Sequence, residues 1–340
     1  MCDYAQNNWP AAVDILAPLT NLVTTIWRRT TALSPSKHLI KEHEMAWTSP
    51  FSLPGAWYRG NLHAHTTQSD GLFSPEEVTA FYRSVGYDFM AITDHWVYTA
   101  GTRSADGSWI TIAGSELHGE GYHMLTVGTS GLPDRALAAD PAVLAAEVAR
   151  LGGLAFYAHP YWTGQTYDKL VTTPAVLGIE VYNGVCDQEV GLGYSRNEWD
   201  EALCTGKQLY GLATDDGHGG GGHKALGWVM VRATELEEGA IIEALRKGNF
   251  YSSNGPAITD LRLTRQDGKP ALVVRCSPCR SITLYAAMPM GRRINAPEGG
   301  LITSAVLGVF PEQRFVRVEC EDATGHVAWS NPVFMEDLLD

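Results

Sequence analysis

The chain has 340 residues, of which 45% are hydrophobic and 19% charged. That length suggests about two domains of roughly 100–200 residues each, and the composition excludes disorder of the low-hydrophobicity, high-charge kind. Twenty-five Lys and Arg against 38 Asp and Glu give a formal net charge of -13, which opposes nonspecific attachment to phosphate-coated polymers and makes strong nucleic-acid binding unexpected.

Residues 1–44 contain none of the 35 glycines, and their acidic and basic side chains cancel. They read as a loosely ordered N-terminal extension with no chemical role. The apolar run 11–19 holds Asp14 and Pro18 and lacks a basic lead-in, so a signal peptide is not expected. No stretch of about 18 uncharged apolar residues exists anywhere, so no membrane span is expected. Six cysteines do not make a disulfide scaffold, and the expected location is the cytoplasm. A lone Cys276-x-x-Cys279 reads as two strand or turn thiols, not a zinc site.

From Trp57 the chain alternates. A strand at 57–62 ends at His63. Ser74-Pro75-Glu76-Glu77 is a capping box with proline at the first helical position, and it opens a helix to about Ser84. Strands follow at 88–92, ending at Asp94-His95, at 109–113, ending at Glu116, and at 124–127, just after His123. A helix runs from Asp140-Pro141 to Arg150 and stops at Gly152-Gly153. Further strands at 154–157, 178–182 and 208–213 end at His159, Asn183 and Asp215-Asp216. Helices at 197–204 and 237–247 complete the region. Alternation of this kind predicts a parallel sheet covered by helices. Ligand-type side chains at five or more strand ends favour a closed or nearly closed barrel, whose strand ends converge on one rim. After about Pro256 short segments at 261–264, 272–276, 282–286, 315–320 and 326–329 predict a small antiparallel β-sandwich.

Histidine usage is lopsided: eight of the 11 lie between His63 and His223. Singly, each is more often a surface or core hydrogen-bonder than a ligand; together, at strand ends, they read as a metal site. In His63-Ala64-His65 alternate residues project to one side, so both imidazoles can reach one ion. Asp70 sits in a turn-forming Ser-Asp-Gly. Thr93-Asp94-His95 adds an acidic and an imidazole group, and Glu116 can bridge two cations. His159 is expected to be extended because Pro160 follows it. Asp216-Gly217-His218 places two more ligands on one extended turn. The set is His63, His65, Asp70, His95, Glu116, His123, His159, Asp216 and His218. Nine candidates exceed the four that one tetrahedral ion takes and suit two or three divalent ions; mixed nitrogen and oxygen donors favour Zn, Mn or Fe. Asp94 and Asp215 are expected to orient ligand histidines or bind backbone. His118 reads as an exposed loop histidine or a proton donor.

The strings NLHAHTTQSDG, AITDH, GSELHGEGYHMLTVG, FYAHP, IEVYNG and TDDGHG, in that order across about 57–220, resemble the polymerase-and-histidinol-phosphatase (PHP) superfamily of metal-dependent hydrolases. WDEAL, GWVMV, FYSSNGP and AWSNP resemble its carbaryl-hydrolase-like (CehA/McbA) branch. The resemblance implies an α/β fold: a distorted (β/α)7 barrel over 45–255, followed by a small C-terminal β-sandwich over 256–340. It implies that His63, His65, Glu116 and Asp216 hold a first metal, that Glu116 bridges to a second held also by His123 and His159, and that Asp70, His95 and His218 hold a third, which this branch can lack.

A metal-activated hydroxide would then attack phosphorus or a carbonyl carbon. The substrate is expected to be a small molecule. Lys224 and His223, after four glycines, could close over an anionic group, with Lys224 assisting catalysis; Arg196 and Asn183 are further substrate-binding candidates. The leading expectation is a metal-dependent hydrolase of small phosphoesters (phosphoesterase or phosphatase type). The alternatives are a carbamate or carboxylester/amide hydrolase of the carbaryl-hydrolase type, a nucleotide-trimming 5'-3' exonuclease, and a non-enzymatic, metal-stabilised binding module.

Overall fold

The computed structural model describes residues 47–219 and 225–338. The extension expected at 1–44 lies outside the described residues, as do His223 and Lys224.

The capping box forms as its residues dictate. Ser74 accepts from the Glu77 amide, Glu77 returns the bond to the Ser74 amide, and Pro75–Ser84 is helical behind them. Asp140 caps Pro141–Arg150 in the same manner, through the Ala142 amide. The helix Arg196–Cys204 buries Trp199, and the helix Glu238–Arg246 buries Ile241, Ile242 and Leu245.

The strands form three sheets in a mixed α/β fold. The first runs, in spatial order, Gly291–Asn295, Ser281–Ala286, Phe315–Glu321, Val327–Ser330, Phe250–Ser253, Trp228–Ala233, Ala56–Asn61, Phe89–Ala91, Ile110–Ile112 and Thr102–Arg103. The second runs Gly114–Gly119, Tyr122–Val127, Leu154–Ala158, Val176–Asn183 and Tyr210–Thr214. The third is Ile258–Gln266, Lys269–Cys279 and Ile302–Gly308.

The expectation of uniformly parallel strands is corrected by the pairing. Ala56–Asn61, Phe89–Ala91 and Ile110–Ile112 are parallel, as are Leu154–Ala158, Val176–Asn183 and Tyr210–Thr214. But Gly114–Gly119, Tyr122–Val127 and Leu154–Ala158 are antiparallel. The cause is local: only Glu120 and Gly121, the latter at φ 71°, join the first two of these strands. Two residues suffice for a hairpin and cannot carry a parallel crossover.

Among the described residues no continuous ladder joins the first sheet to the second; isolated bridges do, at Ala64–Gly217, His95–Glu116 and Thr99–Gly114. Backbone bonds fasten the same places: the His65 amide donates to Gly217 O, the Asp216 amide to His63 O and the Trp96 amide to Glu116 O.

The C-terminal strands do not make a free-standing pair of sheets either. One layer is the three-stranded sheet; the other is the far end of the large first sheet, reached through the pairing of Phe250–Ser253 with Val327–Ser330. Leu272, Val274 and Leu307 pack there against Leu284, Val316 and Val318. Cys276, Cys279 and Cys320 are free thiols buried in that core. Among the described residues no helix is long and apolar enough to cross a membrane.

Candidate metal centre

The segment after Ala56–Asn61 stays extended through His65. Ala64 bridges Gly217 and is fully buried, and the imidazoles of His63 and His65 on either side of it have Nε2 atoms 3.1 Å apart. Glu116 meets them from the second sheet: its Oε2 lies 3.4 Å from Nε2 of each and 2.9 Å from Nδ1 of His95. Its other oxygen, Oε1, faces His123 Nδ1 at 2.9 Å and His159 Nε2 at 3.2 Å. One carboxylate thus presents an oxygen to each of two histidine groups. Asp216 Oδ1 lies 3.1 Å from Nε2 of both His63 and His65. Asp70 is at the rim, 3.5 Å from nitrogens of His65, His95 and His218.

All nine expected residues therefore meet, in four overlapping groups whose ligand atoms lie within 4.8 Å of one another: His63-His65-Glu116, His63-His159-Asp216, His95-Glu116-His123 and His65-Asp70-His95-His218. Asp216 Oδ2 is held at 3.0 Å by the Asn183 amide, which leaves Oδ1 facing His63 and His65 from beside Glu116. His95 belongs to a group with Glu116 and His123 as well as to the rim group.

Whether these residues fit a cation can be judged from their spacing. Bonds of 2.0–2.1 Å around a tetrahedral zinc put neighbouring ligand atoms about 3.3–3.4 Å apart. The His63, His65 and Glu116 atoms are separated by 3.1, 3.4 and 3.4 Å. Buried His159 Nδ1 has no hydrogen-bond partner, a costly arrangement for a desolvated polar atom left alone. The donor set fits divalent cations.

Electrostatics agree. Burial disfavours charge on His63, yet the carboxylates of Asp216, Glu180 and Glu116 outweigh it and hold the imidazole well above its usual range. Against the same burial, Asp216 and Glu116 push His65 up to about 9. Burial disfavours the Glu116 carboxylate too, but His63, His123 and His159 hold it well below its ordinary value. The carboxylates around His63 and His65 thus favour positive charge at the centre of the cluster.

Three residues depart from the extended or loop conformations expected of them. His159 has φ 29° and Asp216 φ 56°, both positive. For non-glycine residues such backbones cost about 1–3 kcal/mol and persist where the surroundings enforce them. Glu180 Oε2 enforces the first by accepting from the His159 amide at 2.8 Å; the bond from the Asp216 amide to His63 O accompanies the second. His118 is not in a loop but in the strand Gly114–Gly119, with its ring 5.4 Å from His95 and 5.3 Å from His123.

The expected substrate-binding residues sit differently. Arg196 lines a separate cavity with Asp200, Tyr285 and Glu319 and lies 3.4 Å from Glu319. The Asn183 side chain is buried and fully engaged, donating to Glu180 and Asp216 and accepting from the Cys186 amide. Asp94 and Asp215 take the second of the two roles expected of them and bind backbone: Asp94 accepts from the Thr66 amide and from the Thr66 and Ser69 hydroxyls, and Asp215 from the Ala225 and Leu226 amides and the Tyr82 hydroxyl. Burial pushes Asp215 up to about 7.

The residue that does orient histidines is Glu180, which the sequence reading passes over. It is fully buried and accepts from His63 Nδ1 at 2.7 Å, Thr214 Oγ1 at 2.6 Å, the His159 amide at 2.8 Å and Asn183 Nδ2 at 2.8 Å. With its Nδ1 proton given to Glu180, His63 keeps Nε2 for the cluster. The available signal was a glutamate inside the otherwise uncharged run of Val176–Asn183.

The cluster opens into a cavity of about 380 Å³, also lined by Trp162, Val185, Cys186 and Glu189. Among the described lining residues there is no Lys or Arg.

No family model matches the chain, and no curated protein does. Among solved structures, it is similar to a two-domain protein from Bacteroides vulgatus containing a predicted PHP-like metal-dependent phosphoesterase, at 17% identity and a TM-score of 0.46, over 83% of this chain and 97% of that one. It is also similar to an amidohydrolase from Chromobacterium violaceum with bound sulfate and no metal, at 14% identity and a TM-score of 0.35, over 48% of this chain and 88% of that one.

Proposed function

We propose that the chain is a metal-dependent hydrolase of small phosphoesters, with His63, His65, Asp70, His95, Glu116, His123, His159, Asp216 and His218 holding two or three divalent cations. The observation that carries the reading is Glu116, whose two oxygens face separate groups of imidazoles at 2.9–3.4 Å. Cations bound there supply Lewis acidity, lowering the pKa of water from 15.7 toward about 7 and neutralising charge on the ester oxygens.

The chain's own residues make that chemistry specific. Glu180 fixes the His63 tautomer. His218 Nδ1, 2.8 Å from Asp216 O, leaves its Nε2 toward Asp70. Burial of His63, Glu116 and His159 keeps bulk water from competing for the donor atoms. Lys224, which lies outside the described residues, is the proposed cation for an anionic substrate.

A carbamate or carboxylester substrate is the second reading. It is favoured by the absence of Lys and Arg from the described cavity lining and by the presence of Trp162 and Val185 there. The two sheets joined by bridges at Ala64–Gly217 and His95–Glu116 support the reading of a distorted (β/α)7 barrel, with the two-layer packing after residue 255 as its companion β-sandwich.

Protein loaded with Mn or Zn, assayed on p-nitrophenyl phosphate and on a naphthyl carbamate, separates the readings. Turnover of the phosphate alone is expected; turnover of the carbamate alone overturns the phosphoesterase proposal. His65→Ala should lose metal and activity together, and retained activity would remove His65 from the site.

A further inference from the structure

Trp162 is a large apolar side chain left 46% exposed at the mouth of a polar cavity. It stands on the short helix Pro160–Thr163, which begins directly after the strained His159. The helix places its indole against two of the clustered imidazoles, with ring centroids 5.0 Å from His159 and 5.8 Å from His123 at interplanar angles of 82° and 70°. These edge contacts hold the ring in place while much of it stays open to the cavity. Val185 and Cys186 supply further apolar lining from the helix Gly184–Val190. The cavity's size lies within the range of small-molecule sites, and no described Lys or Arg lines it to anchor a second charge.

A held, half-exposed indole beside a reaction centre is a stacking surface. Aromatic rings prefer offset or edge-on partners, and such pairs contribute beyond the area they bury; base–aromatic stacking is tolerant of ring identity because every ring presents a π-face. We propose that Trp162 forms a subsite for a flat aromatic or heteroaromatic ring carried on the group attached to the scissile ester bond, making it the residue that sets specificity for ring-bearing over aliphatic esters. The hydrolase reading supplies only the identity of the bond that breaks; the ring subsite stands on Trp162 and its neighbours.

The test uses the full chain and two neutral rings without an ester, 1-naphthol and adenosine, with cyclohexanol as the non-aromatic control. Binding is followed by calorimetry in wild type, Trp162→Phe and Trp162→Ala, with metal content measured alongside. At least one ring should bind wild type, lose roughly 10-fold in Trp162→Ala and recover in Trp162→Phe, while cyclohexanol is indifferent to all three. Preference for naphthol identifies an aryl leaving group, and preference for adenosine a nucleoside. Equal ring binding in wild type and Trp162→Ala, or no ring binding by wild type, overturns the subsite. In turnover, the KM for a naphthyl ester should rise more in Trp162→Ala than the KM for a methyl ester, and an equal rise for both esters would overturn the ring subsite. Ring binding without turnover of any ester by the metal-loaded protein would defeat the hydrolase reading and leave the subsite standing.

Discussion

Replacing Glu180 by Gln changes one atom and removes an acceptor that two donors share. Glu180 Oε1 takes His63 Nδ1 and Thr214 Oγ1, and Oε2 takes the His159 amide and Asn183 Nδ2. Whichever oxygen becomes an amide nitrogen then faces two former donors inside a site with no exposure. Hydrogen bonds to a charged group contribute about 1.5–3 kcal/mol each, so losing two gives a destabilisation of about 3–6 kcal/mol in the metal-free protein. With His63 no longer fixed, metal affinity should fall roughly 10- to 100-fold, as for other partners of ligating histidines. Urea denaturation of the metal-free variant reads the first effect, and competition with a chromogenic chelator reads the second. A Glu180→Gln protein with wild-type midpoint and affinity within about twofold would refute the assignment of Glu180 as the anchor of both His63 and His159.

The raised imidazoles and depressed carboxylates predict opposite pH limits for the metal-free cluster. His65, moved from 6.5 to about 9, contributes stability that is full below 6.5 and lost as pH rises through 9; Glu116, held well below 4.5, contributes stability that is full above 4.5 and lost on acidification. A cation must displace the His65 and His63 protons, so affinity should climb as pH rises from 6.5 toward 9, and calorimetry at pH 7 in buffers of differing ionisation enthalpy should register proton release; binding without release would contradict the shifts. Arg317→Met removes a buried guanidinium that lies 2.6 Å from both Asp200 and Glu319 and between the rings of Trp199 and Tyr285. Stranding those carboxylates should cost about 3–5 kcal/mol in urea titrations with metal affinity unchanged, and a loss under about 1 kcal/mol would show the network to be dispensable. Gly178→Ala would put a methyl 2.3 Å from the Tyr210 carbonyl of the paired strand; the forced shift should cost about 1–3 kcal/mol and weaken metal binding, since Glu180 and Asp216 follow on those two strands, and a variant with wild-type melting and affinity would count against it.

The clustered residues are legible because chemistry and chain proximity coincide. His63-Ala64-His65 and Asp216-Gly217-His218 announce themselves within three residues, and an extended backbone at 63–65 is enough to bring two imidazoles together. Glu180 was not legible by that route, since two of its partners, His63 and Thr214, lie 117 and 34 residues away. The hairpin Gly114–Val127 was misread because the apolar strand Ile110–Ile112 runs almost without interruption into Gly114–Gly119, so one strand was expected where two in different sheets exist. Pro160 argues for an extended residue before it, but the Glu180 carboxylate and the turn into Pro160–Thr163 override that preference at His159. Trp228–Ala233 has alternating burial; its six residues carry too short a pattern to reveal that it joins the N-terminal strand to the C-terminal layer.

The bridges at Ala64–Gly217 and His95–Glu116 give the clustered side chains a mechanical office beyond chemistry. Each of these two seams between the sheets is pinned by, or immediately beside, a residue that also faces the cluster. A cation seated there would act as a clasp across both seams at once, so filling the site and tightening the scaffold become one event. Slowed amide exchange at Trp96, His65 and Asp216 on metal addition would then report the closing of that clasp before any substrate is offered.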